Sequence, residues 1–286
     1  MSVNNLAEYG RSFTEGKNFY CPFFKSSVPA VGAGRWCDIS MGAGQPRFNA
    51  YVGGQLEATP MNGFGNFGLF TGGASSGEEK YLHKLGAVTN TGSSTPFHLM
   101  LLDTLLFYPL VDMDSVDDQI MDNVSSLSRY QDGRGVVAML VVTSPMLANA
   151  GCSMTYTNQD GIDKTVTFNV PFSSVIGGII SSNTISGTPN TLNVPFLPLA
   201  AGDTGIRKIV SFRNNVSSGG LCCLVLVRPL SQLTLLEVGV PNEVCPVKQM
   251  SQLKKIENNA CLNFIGLQQG SSAPTGLNGI VEFINI

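Results

Sequence analysis

Asn158, Asp160 and Asp163 lie within "MTYTNQDGIDKTVTF" (residues 154–168), spaced like the oxygen ligands of a calcium loop. A hard cation would take oxygen donors of this kind. An EF-hand loop also needs an acid at its first position and a bidentate Glu at its twelfth. Lining Asn158, Asp160 and Gly161 up with that pattern puts Tyr156 first and Thr167 twelfth, so both defining ligands are missing. Apolar and polar residues alternate on either side of Asp160-Gly161, and Asp-Gly between alternating runs is a strong hairpin signal, because glycine tolerates the positive φ such turns need. The stretch is read as a bend.

Three other motifs invite the same comparison. "DMDSVDDQIMD" carries Asp112, Asp114, Asp117, Asp118 and Asp122. Clustered carboxylates can hold Ca²⁺, but here they read as a solvated loop and one helical turn, with Ser115 as N-cap and Asp117 and Asp118 at the positive dipole end. "GASSG" (residues 73–77) matches GxSxG around Ser75, with His83 and His98 as the available bases. A nucleophile elbow needs a strand before it, a helix after it and a distant histidine, and a Gly-Ser loop is the plain reading. "GFGNFG" (residues 63–68) matches GxGxxG, yet it follows Pro60 and runs into more glycine rather than opening a helix. Trp36 is read as an anchor. Two histidines without Cys/His spacing make no zinc site, and no carboxylate pair marks a glycosidase cleft. No enzyme activity, metal or cofactor is expected; binding and assembly are.

The elements that would position these residues are short. Residues 1 to about 60 are punctuated by Gly and Pro, with Phe23, Phe24, Trp36, Ile39, Phe48 and Tyr51 between the breakers. That predicts an extended N-terminal arm with a few short strands, laid against something else. Residues 61–286 form the body, which could divide into two sub-domains near 180–195. "FHLMLLDTLLFY" is ambiguous between a strand pair and a short helix, and Pro109 interrupts any helix there. After it come "GVVAMLVVT", "KTVTFNV", "GIRKIVSFR", "GGLCCLVLVRPL", "CLNFIGL" and "GIVEFIN", β-branched-rich runs separated by turn residues. The class is mainly β: an antiparallel β-sandwich or jelly-roll-like fold.

Composition narrows the partners. Charged residues make up 13% of the 286 residues, against a usual value of about 25%. Apolar residues make up 43%, which argues against disorder. A surface short of charge is expected to be covered by other protein. With a net charge of −3 and no basic stripe, direct nucleic-acid binding is not expected. The N-terminus lacks the pattern of a secretory signal, and no run approaches the ~18 apolar residues of a membrane helix, so cytosolic synthesis and no membrane partner are expected. Seven cysteines without a CxxC pair read as reduced, buried thiols, with Cys222 and Cys223 on opposite faces of one strand.

"GRWCDISMGAGQPRFNAYVGGQLEATP", "LLFYPLVDMDSVDDQIMDN", "SRYQDGRGV", "MTYTNQDG", "FLPLAAGDTGIRKIVSF" and "GGLCCLVLVRPL", with "CLNFIGL" near the end, resemble virion structural proteins of tailed bacteriophages. The stretches run from about Gly34 to Leu230 and keep their order. The resemblance implies a structural role in the virion, assembled in the host cytoplasm, and brings no catalytic or ligand residues. Cys222-Cys223 departs from the aliphatic or small residues expected in that strand. A capsid decoration (cement) protein fits best, with copies of itself (most plausibly a trimer) and the phage major capsid protein as partners. A tail or fibre component with a receptor- or carbohydrate-binding surface is the runner-up. The major capsid protein itself fits less well because no long charged spine helix is visible, and a hydrolase using Ser75 is the outlying reading.

Overall fold

The computed structural model describes residues 6–63, 65, 67–72, 77–90, 95–180, 194–246, 254–270 and 276–286. After a short helix, α1 (Leu6–Thr14), the chain runs through β1 (Asn18–Lys25), β2 (Arg35–Asp38), a 3-10 turn (Ile39–Met41), β3 (Gly44–Gln45) and β4 (Thr59–Pro60). Then come β5 (Lys80–Thr89), β6 (Phe97–Asp112), β7 (Gln119–Ile120), β8 (Val137–Ser144), β9 (Ala150–Asn158), β10 (Asp163–Val170) and β11 (Gly178–Ile179). The last strands are β12 (Ile206–Asn214), β13 (Leu221–Leu235), β14 (Asn242–Val244), β15 (Lys254–Ile256), β16 (Leu262–Gln268) and β17 (Leu277–Asn285). The protein is mainly β, and these strands pair antiparallel throughout.

The centre is a closed ring. In order, β13, β8, β11, β2, β16 and β6 are hydrogen-bonded, and β6 pairs back onto β13. A ring this small is filled by its own side chains. Trp36, Leu102, Phe107, Met139, Val141, Cys223, Val225, Val227, Ile265 and Leu267 form that interior. Strand alternation sends Cys222, Leu224 and Leu226 to the outside of the ring, where they join a second core. Cys222 and Cys223 do point to opposite faces, and both are fully buried because both faces of β13 are covered.

Two sheets cover the outside of the ring. A four-stranded sheet, β10-β9-β12-β7, packs Met154, Tyr156, Phe168, Ile209 and Phe212 against Leu106, Tyr108 and Leu224. A six-stranded sheet, β14-β5-β17-β1-β3 with β15 beside β5, packs Phe23, Leu82, Leu85, Val281 and Phe283 against Leu99, Leu101 and Leu233. β6 and β13 therefore serve both sandwiches, one half of each strand to each sheet.

"FHLMLLDTLLFY" falls within a single 16-residue strand, β6. Proline is tolerated there because the β6–β13 register shifts between Tyr108 and Val111, which leaves Pro109 and Leu110 as a bulge. Leu110 takes φ 59 at that bulge. At the switch from one outer core to the other, between Leu101 and Leu105, lies Asp103. Arg129 donates to both its carboxylate oxygens, at 2.7 and 3.0 Å, and to the carbonyls of Met61 and Thr104. Cys261 N–H adds a bond to Asp103 Oδ1. Burial pushes the Asp103 carboxyl up, while the guanidinium and that N–H pull it back down. A buried charge needs this degree of pairing.

The expected arm needs correction. Within residues 1–60, β1 pairs along its whole length with β17 at the far end of the chain, and β2 is a stave of the ring between β11 and β16. Phe23 and Ile39 lie in the core under the six-stranded sheet, and Trp36 and Tyr51 lie in the ring. The extended links between these strands do exist, as the breakers indicate, but buried polar groups tie them down. Lys25 Nζ donates to the carbonyls of Gly42 (2.9 Å) and Pro46 (2.6 Å). Asp38 accepts from Ser40 N–H and from the Tyr51 hydroxyl. The division suggested near 180–195 falls partly on residues outside those described. Strands on either side of it, β9 and β12, pair with each other, so the same sheet continues across it.

Candidate functional site

The outer face of the six-stranded sheet carries an apolar groove of about 710 Å³. Alternation in β1 points Tyr20, Pro22 and Phe24 outward while Cys21, Phe23 and Lys25 point in. Register then builds three rows across the sheet. Pro22 lies beside Ile280, and Ile280 beside Gly86. Phe24 lies beside Asn278, which neighbours Val88, and Tyr20 lies beside Glu282, which neighbours Lys84. Pro241, Asn242 and Glu243 wall one side.

Gly86 forms part of the groove floor. A Cβ added there would meet nothing nearer than 3.7 Å, so the space is open rather than demanded by packing. Gly279 is different: its missing Cβ makes room for the Phe23 ring, 2.2 Å from where the atom would stand. Tyr20, Phe24 and Ile280 are 53%, 45% and 44% exposed. Large apolar side chains gathered around one concavity mark an interaction surface more often than scattered ones do. The charged groups lie at the rim, where Lys84 pairs with Glu243 (3.3 Å) and Glu282 (3.9 Å).

The outer face of the four-stranded sheet is its opposite. Thr155 stands beside Thr165 and Ser211, and Ser153 beside Thr167 and Arg213. The Thr155 and Thr165 hydroxyls bond each other at 2.9 Å. Ile120, on the two-residue edge strand β7, is an exposed apolar residue of this sheet.

The residues singled out for chemistry are spread apart. Asn158, Asp160 and Gly161 form the β9–β10 turn, with Gly161 at φ 80 and its N–H bonded to the Asn158 carbonyl. Asn158 Oδ1 accepts from the N–H groups of Asp160 and Ile162, and its amide donates to Asp203 at 2.8 Å. Asp163 accepts from Thr157. Each of these oxygens is at work in the turn itself. Asp112 Oδ1 accepts from Asp114 N–H, and Asp114 accepts from the Ser217 hydroxyl. No helical turn forms at Ser115: residues 113–118 are irregular, with bends at 113, 114 and 117, and Ser115 Oγ accepts from the Asp117 N–H. Among the described residues, no group of three His, Cys, Asp or Glu is arranged to hold a metal ion.

Ser75 lies outside the described residues, as do Phe64 and Asn66 of "GFGNFG"; no α-helix opens at its described glycines. His98 bonds the Thr234 hydroxyl, and His83 sits under α1, against the rings of Tyr9 and Phe13. All seven cysteines are free; six are buried and Cys245 is partly exposed. Burial pushes the Cys37, Cys152 and Cys261 thiols up to about 12.

The groove was missed from sequence. "NFYCPFFK" is apolar at both parities, and that pattern signals a strand covered on both faces.

No protein-family model matches the chain, and no curated protein matches it. The chain is similar to the crystal structure of the infectious bursal disease virus VP2 subviral particle at 8% identity, over 94% of this chain and 80% of that one, with a TM-score of 0.17. A likeness at that level carries no argument about fold or function. No helix among the described residues is long and apolar enough to cross a membrane.

Proposed function

We propose that the protein is a non-enzymatic structural component of a virus particle, a capsid decoration (cement) protein that works through protein–protein contacts. The observation that carries this reading is the apolar groove on the six-stranded sheet. A sheet face that shows Tyr20, Phe24 and Ile280 around an open floor at Gly86 is suited to being covered by protein. The occupant is another copy of this chain. The surface is poor in charge, at 13% of residues overall, and closed symmetry lets identical copies cover identical faces. A trimer held on the phage shell is the form the sequence resemblance favours.

An interface of this composition does not depend on exposed ion pairs, so it persists in high salt, where such pairs are screened. Light scattering on the purified protein in low and high salt tests the reading. An oligomer of the same mass in both buffers is expected. A monomer at micromolar concentration in both buffers would sink self-assembly.

A further inference from the structure

Behind the rim of the groove, groups from α1, β1, β5, β17 and the end of β14 converge. Cys245 directly follows β14, whose Val244 lies opposite Leu85 of β5. The β5–β17 register shifts between Lys84 and Leu82, which makes His83 the bulged residue. Its Nδ1 stands 4.0 Å from Cys245 Sγ, and its Nε2 stands 3.7 Å from Glu282 Oε2 on β17. Glu282 is in turn held by Asn18 Nδ2 (3.2 Å) and by Lys84 Nζ (3.9 Å). From α1, the Tyr9 hydroxyl bonds His83 Nδ1, and the Tyr9 and Phe13 rings pack on the imidazole. Burial, and after it the Cys245 thiol, raises the Tyr9 hydroxyl.

We infer that Cys245, His83 and Glu282 form a nucleophilic thiol site whose co-reactant is a low-molecular-weight disulfide. Three roles are filled by three side chains: nucleophile, base, and a carboxylate placed to orient the base. The other six cysteines are buried, so Cys245 has the solvent access the reaction needs. Disulfide exchange asks for no more than a thiolate and a proton acceptor. The Cys245 proton passes to His83 Nδ1, and Sγ attacks one sulfur of the disulfide. A new S–S bond forms as the old one breaks, and the departing thiolate takes the proton back from the imidazolium. The products are a mixed disulfide at Cys245 and one free small thiol. The Tyr9 hydroxyl competes with the thiol for Nδ1, so α1 tempers the site. Among the described residues, Tyr9, Cys245 and Glu282, with Lys84 and its second partner Glu243 behind them, are ionisable groups packed around His83.

The test treats the full-length native protein with oxidised glutathione at pH 7, following the adduct by intact mass and peptide mapping. One glutathione is expected, on Cys245. His83→Gln is expected to slow the reaction at least about tenfold, a threshold set below the ~10²-fold that a positioned base typically contributes at least; added imidazole should recover part of the loss in His83→Ala. Tyr9→Phe keeps the ring packing and should react several-fold faster, a gain that general loosening of the fold would not confine to Cys245. An adduct that forms first on another cysteine overturns the proposal. So does a native rate in both His83→Gln and Tyr9→Phe.

Discussion

The six-stranded and four-stranded sheets pack against the same ring through the same two long strands, yet turn unlike faces to solvent. Tyr20, Phe24 and Ile280 stand on the first, while Ser153, Thr155, Thr165, Thr167 and Ser211 stand on the second. Both inner faces are dominated by apolar side chains packed on the ring, so folding asks much the same of each sheet. What differs is only the outward half of each alternation, which folding leaves free. A face of hydroxyls is at home in water. A face of aromatic and aliphatic groups around a glycine floor is at home against protein, and on that contrast rests the assembly proposed above.

The largest effect is expected where the two sandwiches meet. Arg129→Met leaves Asp103 buried without its partner and should cost about 3–5 kcal/mol in urea unfolding. The double variant Arg129→Met/Asp103→Leu should recover much of that. A single variant as stable as native would mean that the ion pair does not hold the junction.

Next comes the groove itself. Gly86→Val fits the floor sterically and suits a strand, so the fold should remain, but association should weaken about a hundredfold, or about 2.8 kcal/mol. Unchanged light scattering from folded Gly86→Val would move the interface elsewhere.

The buried Lys25 belongs to the six-stranded half. Burial pulls Lys25 down to about 8, against about 10.4 in the unfolded chain. Between those values the unfolded state binds more protons, so this group's contribution to stability rises with pH. Native protein should therefore gain on Lys25→Met by about 2 kcal/mol between pH 7 and pH 10. Parallel denaturation curves with a constant gap would show that the ammonium is not strained by burial.

In the four-stranded half, Gly161→Val should cost about 1–2 kcal/mol, because a β-branched residue resists the φ of 80 held there. Calcium should not shift the melting temperature; a rise that vanishes in Asp160→Ala would restore the metal loop. Smallest of all, Thr165→Lys on the hydroxyl face should stay within about 0.5 kcal/mol and leave association unchanged. Loss of the oligomer in that variant would invert the contrast between the faces.

Local signals were legible where the structure they specify is local. Asp160-Gly161 reads as a turn because the residue that bends the chain is itself the signal. Alternation through "LCCLVLV" (residues 221–227) is equally local, so the opposed faces of Cys222 and Cys223 follow from it. The segment before residue 60 misled because its breakers are near and its partners are far. Phe23 of β1 stands opposite Gly279, and nothing within residues 18–25 names a strand more than two hundred residues away. The helical turn at Ser115 failed for a related reason: Gln119 bonds both N–H and carbonyl of Asp112 through its side chain, which pulls the segment into a loop tied to β6.

By itself, then, the sequence determined the strands, the turns between them, the burial of six thiols and a surface poor in charge, because each depends on residue type and on neighbours close along the chain. Tertiary structure alone decided that the strands close into a ring, that β1 is a full strand of the six-stranded sheet rather than an arm, and that Tyr20, Gly86 and Ile280 share one concavity. It also decided that Cys245, His83 and Glu282 meet. Those outcomes depend on register between distant strands, and register is set by the mutual fit of whole faces, which no single stretch of the chain carries.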